Sequence, residues 1–410
     1  MLHSMDRALS LRSTYDQSFS VELYEDIKDP GLIVWIRRHV EERTALVVTT
    51  PTVNRLYGAH IQKAFEAAGT KPAWLVLECN EEKKSLEYAE RVCRAACHAG
   101  VDRRGVLISL GGGVCSDIVT MASSMVRRGI SHLRIPTTLI GQIDAGVGIK
   151  GGVNFGSHKN YLGCFHPPEA VAIVPSFLAT VGLSGIRQGL AEMIKVACTS
   201  DVTLFEQLEH AQPGEIGSWM IAGDPRAREL IVRSISAILC ELERNPFERS
   251  GYERALDFGH TLSHPLEAST NYTLHHGFAV AIDLGFSALL AQGLGWLDAA
   301  SCRRIIQTLT SCGLPLWHEN LTLDFILGAL RAGAKHRGGE INMTLPTSIG
   351  TYAFLKNEQQ CPPGLIENIL RSLSQMKSEP SGGDVSSIGA MCATNYPRAF
   401  LAQVELVDRP

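Results

Sequence analysis

The sequence predicts an α/β N-terminal domain built on a mostly parallel sheet, followed by a mainly α-helical C-terminal domain. In the first half, apolar runs of strand length alternate with amphipathic helical stretches. From about residue 184 onward, helical spacing dominates. A length of 410 residues also favours two domains over one core.

The first half contains five strand-like runs separated by helical patterns. Strands are predicted at 44–50, 72–78, 105–110, 132–138 and 170–174, with helices at 54–68 and 84–98. Strands that alternate with helices are typical of a parallel sheet covered on both faces.

The second half reads as helices at 183–197, 229–243, 259–269 and 278–293, with one late β-hairpin at 341–355. The predicted domains are therefore 1–182 and 183–376. Residues 377–410 begin with a Ser/Gly-rich run and are expected to form a flexible C-terminal extension.

Composition argues against several classes of protein. A formal net charge of -4 does not favour binding to nucleic acid or to an anionic membrane. The N-terminus does not resemble a signal peptide, and there is no run of eighteen apolar residues. The eleven cysteines form no repeated CxxC pattern, which favours reduced thiols. We therefore expect a cytoplasmic enzyme.

A glycine-rich turn marks the first candidate site. Gly111, Gly112 and Gly113 stand between a predicted strand and a predicted helix. Such a turn lets the backbone approach a pyrophosphate at a helix N-terminus, as in Rossmann-like domains, although it is also compatible with a simple tight turn. Glu81 and Lys84 follow a neighbouring strand, where they would reach a ribose or form a solvated helix start.

Candidate metal ligands lie in the helical half. Glu192 sits within an apolar helix, where a lone carboxylate is costly unless it is paired or metal-bound. His260 and His264 are spaced by one helical turn, and His275 and His276 open the next helix. One glutamate with two histidines is typical of an open zinc site, but spacing alone does not choose the histidines.

Residues 135–168 form a glycine-rich stretch with few apolar side chains. Lysines and asparagines on such a loop suit a phosphorylated, polyhydroxylated ligand, whereas the alternative is a solvated surface loop. The polar residues of interest are Asp144, Lys150, Asn154, Lys159 and Asn160.

Taken together, these motifs resemble the dehydroquinate synthase superfamily, and within it the sedoheptulose 7-phosphate cyclase branch. The resemblance spans about residues 40–375. It rests on GGGVCSD, RRG at 127–129, PTTLIGQIDAGVGIKGGVNFGSHKN, GLAEMIK, DFGHTLSH and LHHG. It implies a dehydroquinate synthase-like fold, an NAD cofactor, a Zn²⁺ or Co²⁺ ion and a homodimer.

The resemblance also implies roles for individual residues. Metal ligands would be Glu192, His260 and His276, and catalytic residues would be Lys150, His264 and Asp257. Substrate would be bound by Lys150, Asn160 and Lys335, with Arg128 reaching the phosphate site of the dimer partner. The residues expected around NAD are Glu81, Lys84, Gly111, Gly112, Gly113, Asp117, Thr137, Thr138, Asp144, Lys159 and Thr180.

Three departures from dehydroquinate synthases bear on the substrate. Asp257 replaces a family asparagine, Glu253 replaces an arginine, and Leu239 or Cys240 replaces a lysine. Those cations help to hold a substrate carboxylate in the family, so their loss favours a neutral hydroxymethyl group. Sedoheptulose 7-phosphate has such an end, and the 2-epi-5-epi-valiolone synthases are the members of the branch that the chain resembles most.

The resemblance implies a phosphate-eliminating cyclase, a carbon–oxygen lyase in which transient oxidation by NAD precedes elimination, reduction and aldol closure. Alternatives are 3-dehydroquinate synthase and the desmethyl-4-deoxygadusol and 2-epi-valiolone synthases of the same branch. A metal-dependent polyol dehydrogenase and an inactive NAD-binding protein are further alternatives.

Overall fold

The computed structural model describes residues 17–156, 158–249, 251, 253–336 and 339–376. The predicted extension at 377–410 lies outside the described residues. Within the described part, no helix is both long enough and apolar enough to span a membrane.

The N-terminal half is built on a six-stranded parallel sheet of order β1-β8-β5-β4-β2-β3. Two antiparallel hairpins, β6–β7 and β9–β10, lie outside this sheet. The strands, in chain order, are β1 Ser20–Leu23, β2 Ala45–Thr49, β3 Ala73–Val76, β4 Val106–Gly111, β5 Ser131–Pro136, β6 Lys150–Phe155, β7 His158–Phe165, β8 Ala170–Ile173, β9 Met343–Ser348 and β10 Thr351–Leu355.

Helices cover the sheet and form most of the C-terminal half. In chain order they are α1 Pro30–Val40, α2 Pro51–Val53, α3 Ala59–Ala67, α4 Leu86–His98, α5 Gly113–Met125, α6 Gly182–Ser200, α7 Val202–His210, α8 Glu215–Ala222, α9 Pro225–Arg244, α10 Ser263–Ser269, α11 His276–Gly293, α12 Ala299–Ser311, α13 Leu323–His336 and α14 Pro363–Met376. A π-helical segment, Asn54–Gly58, joins α2 to α3.

Both faces of the sheet are buried, which explains why β2 and β4 are apolar almost throughout. One face packs against α1 and α3 through Trp35 and Phe65. The other packs against α4 and α5 through Val92 and Ile118. The predicted parallel-sheet domain is confirmed.

The helical half packs around α6 and α11. Nearly every residue of α11 from Ala279 to Ala291 is buried, as expected of a core helix that is apolar all round. The same apolar cluster takes in Leu139 and Ile143, which follow β5. The polypeptide after β5 is therefore held between the sheet and the helices. The predicted helical C-terminal half is confirmed, while the division at residue 182 stays a prediction.

The glycine-rich stretch at 135–168 is more ordered than a surface loop. It contains a π-helical turn, Gly141–Ala145, and the β6–β7 hairpin. Arg134 is fully buried and donates to the carbonyls of Ala145 and Gly146, 3.3 and 3.2 Å away. These buried hydrogen bonds order a segment that has too few apolar side chains to form a core. The sheet also contains β1, which the sequence patterns do not predict.

Candidate active site

The candidate site lies at the carboxyl ends of the central parallel strands. The turn Gly111–Gly113 follows β4, and Thr137 and Thr138 follow the adjacent β5. The 3-10 turn Pro175–Thr180 follows β8 on the far side of β5. Ligands of parallel α/β sheets bind at this edge, which places the predicted nucleotide residues in a suitable position.

The glycine turn has little room for side chains. A Cβ at Gly111 would lie 2.8 Å from the Cβ of Cys115, and one at Gly112 would lie 3.1 Å from Thr138 Cγ2. One at Gly113, where α5 begins, would lie 3.1 Å from the Cβ of Ala145. A turn without side chains at a helix N-terminus lets backbone N–H groups approach a ligand closely, which suits a pyrophosphate group.

A buried cation connects the neighbouring strand to this helix. The side chain of Lys84 is 4% exposed, and its Nζ lies 2.6 Å from Asp117 Oδ2 and 2.6 Å from Asn160 Oδ1. Burial alone would lower the pKa of Lys84, but Asp117 and Glu81 outweigh burial and raise it. Asn154 donates to Glu81 Oε1 at 3.1 Å and accepts from Asn160 N at 2.9 Å, so three segments remote in sequence form one network.

The predicted metal ligands converge in the helical half. The ligand nitrogens of His260, His264 and His276 lie within 4.8 Å of one another. Glu192 Oε1 is 3.0 Å from His276 Nε2 and 3.8 Å from His260 Nε2. Both Glu192 oxygens are buried and make no well-directed hydrogen bond within the described residues. Three imidazoles and a carboxylate suit Zn²⁺ or Co²⁺, and the distances are compatible with the predicted set.

Electrostatics at this cluster favour a bound cation. Burial opposes charge on His276, yet Glu192 and Glu267 outweigh it and raise the pKa of His276 to about 9. Burial likewise opposes charge on Glu192, but Lys195 and the histidines hold its pKa well below the usual range. Burial is the largest cause of the lowered pKa of His260, to about 3, and lowers that of His264, so both are neutral at pH 7. His260, His264 and the ionised Glu192 are in the protonation states that bind metal, whereas His276 would give up a proton when a metal binds.

His260 and His264 meet for a reason other than the predicted one. The expectation was a shared helix face, but α10 begins at Ser263 and His260 lies in the preceding turn. The buried carboxylate of Asp283 on α11 accepts from the backbone N–H groups of Leu262 and Ser263, at 2.6 and 3.1 Å. This anchor from another helix orients the turn, because two buried N–H groups need an acceptor.

A second group of charges surrounds Lys150 at the start of β6. Lys150 Nζ forms an ion pair with Glu248, which also pairs with Arg254. Arg254 Nη1 lies 3.5 Å from Asp257 Oδ1. Burial and then Arg254 lower the pKa of Lys150, while Glu248 opposes this shift. The side chain of Lys150 remains 46% exposed, so solvent reaches it.

Glu253, which stands at the position of a family arginine, forms an ion pair within the described residues. Its carboxylate pairs with Lys356, and both side chains are more than a third exposed. Arg254, one position later, turns toward Lys150 instead. Cys240 is exposed and Leu239 packs against the helical core. Strand and turn geometry reverses the direction of consecutive side chains, and a sequence comparison position by position does not reveal this.

Three residues predicted to bind NAD or substrate contact other charged or polar groups of the site. Lys159 Nζ is 2.5 Å from Glu267 Oε2, and Asp144 Oδ2 is 3.6 Å from Lys195 Nζ, so both approach the histidine cluster. Asn160 joins the Lys84 network rather than Lys150.

The remaining predicted residues are at the periphery. Thr180 accepts or donates at 2.7 Å to Tyr57. Lys335 on α13 and Arg128, which has a positive φ of 71° after α5, are both exposed. Their roles stay predictions.

The sequence interpretation missed three charged residues at the site. Lys195 lies 2.6 Å from Glu192 Oε2, three positions along the same buried helix. Glu267 accepts from His276 Nδ1 at 2.8 Å, an arrangement that orients a metal-ligating imidazole. Lys195 and Glu267 could have been found from helical spacing, because each follows a predicted site residue, Glu192 or His264, by three positions. Glu248 lay in a loop, and no local pattern marked it.

Comparisons with known proteins agree with this geometry. Residues 74–188 match the 3-dehydroquinate synthase N-terminal family, and 189–336 match the 3-dehydroquinate synthase C-terminal family. The chain is 35% identical over 360 residues to 2-epi-5-epi-valiolone synthase of Streptomyces glaucescens, covering 87% of this chain and 92% of that enzyme. It is 33% identical over 328 residues to 3-dehydroquinate synthase of Caldanaerobacter subterraneus subsp. tengcongensis, covering 79% and 90%.

Among solved structures, the chain is similar to ValA, the 2-epi-5-epi-valiolone synthase of Streptomyces hygroscopicus subsp. jinggangensis 5008, with NAD⁺ and Zn²⁺ bound. The TM-score is 0.82 at 34% identity, over 90% of this chain and 100% of that one. The resemblance inferred from the motifs is confirmed. The chain belongs to the 3-dehydroquinate synthase family, in which it is similar both to valiolone synthases and to dehydroquinate synthases.

Proposed function

We propose that this protein is a sugar phosphate cyclase that converts sedoheptulose 7-phosphate to 2-epi-5-epi-valiolone with release of phosphate. It is a cytoplasmic, homodimeric carbon–oxygen lyase that uses NAD and a Zn²⁺ or Co²⁺ ion. Its similarity to 2-epi-5-epi-valiolone synthases, including one solved with NAD⁺ and Zn²⁺, supports this proposal.

The charge balance around Lys150 is the observation that favours a substrate with a neutral hydroxymethyl group over one with a carboxylate. The two cations at this end of the site, Lys150 and Arg254, are matched by two carboxylates, Glu248 and Asp257. A substrate carboxylate placed here would face both anions, and both of these cations are already paired within the described residues. The penalty is on the order of 3 kcal/mol, about two powers of ten in kcat/KM. A neutral hydroxymethyl group avoids it.

Glu192, His260 and His276 would hold the metal, with Glu267 orienting His276. When bound, NAD would accept and return hydride, and the metal would polarise the oxygen on the carbon that is oxidised. Lys159 forms an ion pair with Glu267, and Lys195 forms one with Glu192. These ion pairs favour the ionised form of each carboxylate.

Lys150 and His264 are the candidate residues for proton transfer and phosphate binding. His264 is neutral because burial lowers its pKa well below the usual range, so it can accept a hydrogen bond from a hydroxyl group. Burial, and then Arg254, lower the pKa of Lys150, which makes its ammonium a stronger acid than that of an ordinary lysine. Because the hydride is returned, NAD shows no net turnover.

The decisive test compares sedoheptulose 7-phosphate with the heptulosonate substrate of dehydroquinate synthases. Phosphate release and product identity are measured for each, with NAD in catalytic amounts. We expect turnover of sedoheptulose 7-phosphate and about a hundredfold lower kcat/KM for the heptulosonate. Asp257→Asn should narrow that ratio because it removes one opposing anion, whereas Glu253→Gln, which alters a residue paired with Lys356, should leave it unchanged.

Two outcomes would contradict the proposal. Equal or faster turnover of the heptulosonate identifies a dehydroquinate synthase, in which Arg254 would serve as the carboxylate-binding cation. NADH that accumulates in step with product identifies a polyol dehydrogenase.

The metal assignment has a separate test. Glu192→Gln should lose most bound Zn²⁺ or Co²⁺ by elemental analysis, since it removes the anionic ligand between the imidazoles. The exposed Glu66→Gln is the matched control. Full metal occupancy in Glu192→Gln rules this carboxylate out as a ligand.

A further inference from the structure

A single buried guanidinium holds the backbone that leads into Lys150. Arg134 lies on β5 between β4 and β8, and its side chain is fully buried. Its Nη1 donates to the carbonyls of Ala145, Gly146 and Gly148, and its Nη2 donates to the Lys150 carbonyl at 3.2 Å. The segment between the π-helical turn and β6 is therefore fixed from one side by one side chain.

The guanidinium is itself fixed by α5. Nη2 also donates to Thr120 Oγ1 at 2.9 Å, and this hydroxyl donates in turn to the Ser116 carbonyl at 2.7 Å. A Cβ on Gly151 would lie 2.5 Å from Thr120 Cγ2, so α5 also rests against the start of β6. The position of Arg134 is thus set by a central strand and a neighbouring helix, both of which are rigid elements.

Arg134 carries its charge at a cost in stability. Every acceptor that contacts it within the described residues is a neutral oxygen, and a buried cation without a carboxylate partner is unfavourable. Burial lowers the pKa of Arg134 to about 10, so the guanidinium is still protonated at pH 7. The hydrogen bonds that offset the cost end on Thr120 and on the backbone of residues 145–150.

The two ends of this segment carry residues of the candidate site. Asp144 Oδ2 lies 3.6 Å from Lys195 Nζ near the histidine cluster, and Lys150 Nζ pairs with Glu248. We propose that Arg134 is a positioning residue, which fixes the main chain of Lys150 and so places its amine against the substrate. The catalytic part of this inference rests on the proposed function, whereas the placement of the amine does not.

Lysine at position 134 would separate charge from geometry. An ammonium keeps the positive charge, but its donors radiate from one nitrogen, whereas the guanidinium spreads five donors over a planar fork. One nitrogen does not reach both the carbonyls bound by Nη1 and those bound by Nη2. Arg134→Lys should therefore release Lys150 although the charge is retained.

The test measures the Lys150 amine directly in the full-length protein without substrate. Labelling with acetic anhydride over a range of pH, followed by mass spectrometry of the peptide, gives the pKa of this half-exposed amine. In the wild type, burial and Arg254 lower this pKa, whereas Glu248 and Asp257 oppose the shift. An amine released from this environment should return toward its ordinary pKa, which would lower the neutral fraction at pH 8 about threefold or more.

Two variants and a control complete the design. Arg134→Lys should show this pKa rise, bind the metal as before and lose about tenfold or more in kcat/KM for sedoheptulose 7-phosphate. Thr120→Val keeps the side-chain shape but removes an acceptor of Arg134, and should shift the pKa of Lys150 the same way by less. Arg43→Lys is the control, because Arg43 pairs with Glu169 and precedes β2, at the opposite edge of the sheet.

The outcomes separate the parts of the inference. An unchanged Lys150 pKa in folded Arg134→Lys, or a shift no larger than that in Arg43→Lys, refutes the positioning role. If circular dichroism shows that Arg134→Lys does not fold, an unchanged Lys150 pKa in Thr120→Val refutes it instead. A raised pKa with kcat/KM changed less than twofold refutes the catalytic consequence. If the wild type does not turn over the sugar phosphate, the proposed function fails, and the labelling alone judges the positioning role.

Discussion

Replacing Lys84 by methionine tests the buried network beside the nucleotide turn. The substitution keeps the apolar stem but removes the ammonium that contacts Asp117 and Asn160, each at 2.6 Å. Breaking a buried ion pair costs about 3–5 kcal/mol because the remaining charge is uncompensated. Because the Asp117 side chain is still 21% exposed, we expect the cost of the broken ion pair to lie at the lower end of that range. The Asn160 oxygen also loses a hydrogen-bond donor, which is worth about 1 kcal/mol. We expect a loss of about 3–4 kcal/mol.

The assay is urea denaturation with the free energy of unfolding extrapolated to water. The double variant Lys84→Met with Asp117→Asn should recover more than half of the loss, since it removes the unpaired carboxylate. The exposed Lys63→Met is the control and should change stability by less than about 0.5 kcal/mol. Asp117 and Glu81 raise the pKa of Lys84, so the contribution is complete below the unfolded pKa and lost only at more alkaline pH. A deficit under 1 kcal/mol between pH 6 and 9 would refute the reasoning.

Three further predictions concern other sites. Glu267→Gln should weaken metal binding about 10–100-fold in a competition assay with a chelator, with Glu66→Gln unchanged, because the orienting carboxylate is lost. Burial opposes the ionised form of Glu169, but hydrogen bonds, including that from Arg43, lower its pKa to about 2. Its stabilisation is therefore full above about pH 4.5 and is lost as the pH falls through about 2. In urea unfolding, Glu169→Gln should cost about 1–2 kcal/mol at pH 7, after allowance for solvent screening, and progressively less as the pH falls. Mixing inactive Arg128→Ala with inactive Lys150→Ala should restore activity through hybrid sites, and failure despite demonstrated subunit exchange would argue against an arginine shared across the dimer.

Much of the fold could be predicted from local patterns. Runs such as 105–110 followed by Gly111–Gly113 predict a buried strand and a turn, because burial on both faces and close backbone approach limit the residues allowed. The apolar periodicity around Glu192 predicts a carboxylate held inside the protein. These features depend on neighbours in sequence, so composition and spacing suffice to recognise them.

The charged contacts of the site could not be predicted in this way. The side chains of Lys84 and Asn160 form a hydrogen bond although they are 76 residues apart in sequence, and those of Lys159 and Glu267 do so at a separation of 108 residues. Such pairs depend on how the hairpin, the sheet and the helices pack, and a change of one position in a turn redirects a side chain entirely. That is why Glu253 faces solvent while Arg254 faces the site.

The sequence by itself determined the two-part architecture, the nucleotide-type turn and the set of candidate metal ligands. Residue spacing left the choice between His275 and His276 open, and the tertiary structure shows His276 facing Glu192, in agreement with the family resemblance. Only the tertiary structure revealed that Glu248 balances the charge of Lys150. The physical reason is the range of the interactions: periodic burial is local and repeats along the chain, whereas pairing of buried charges joins distant segments and is settled only when the core has packed.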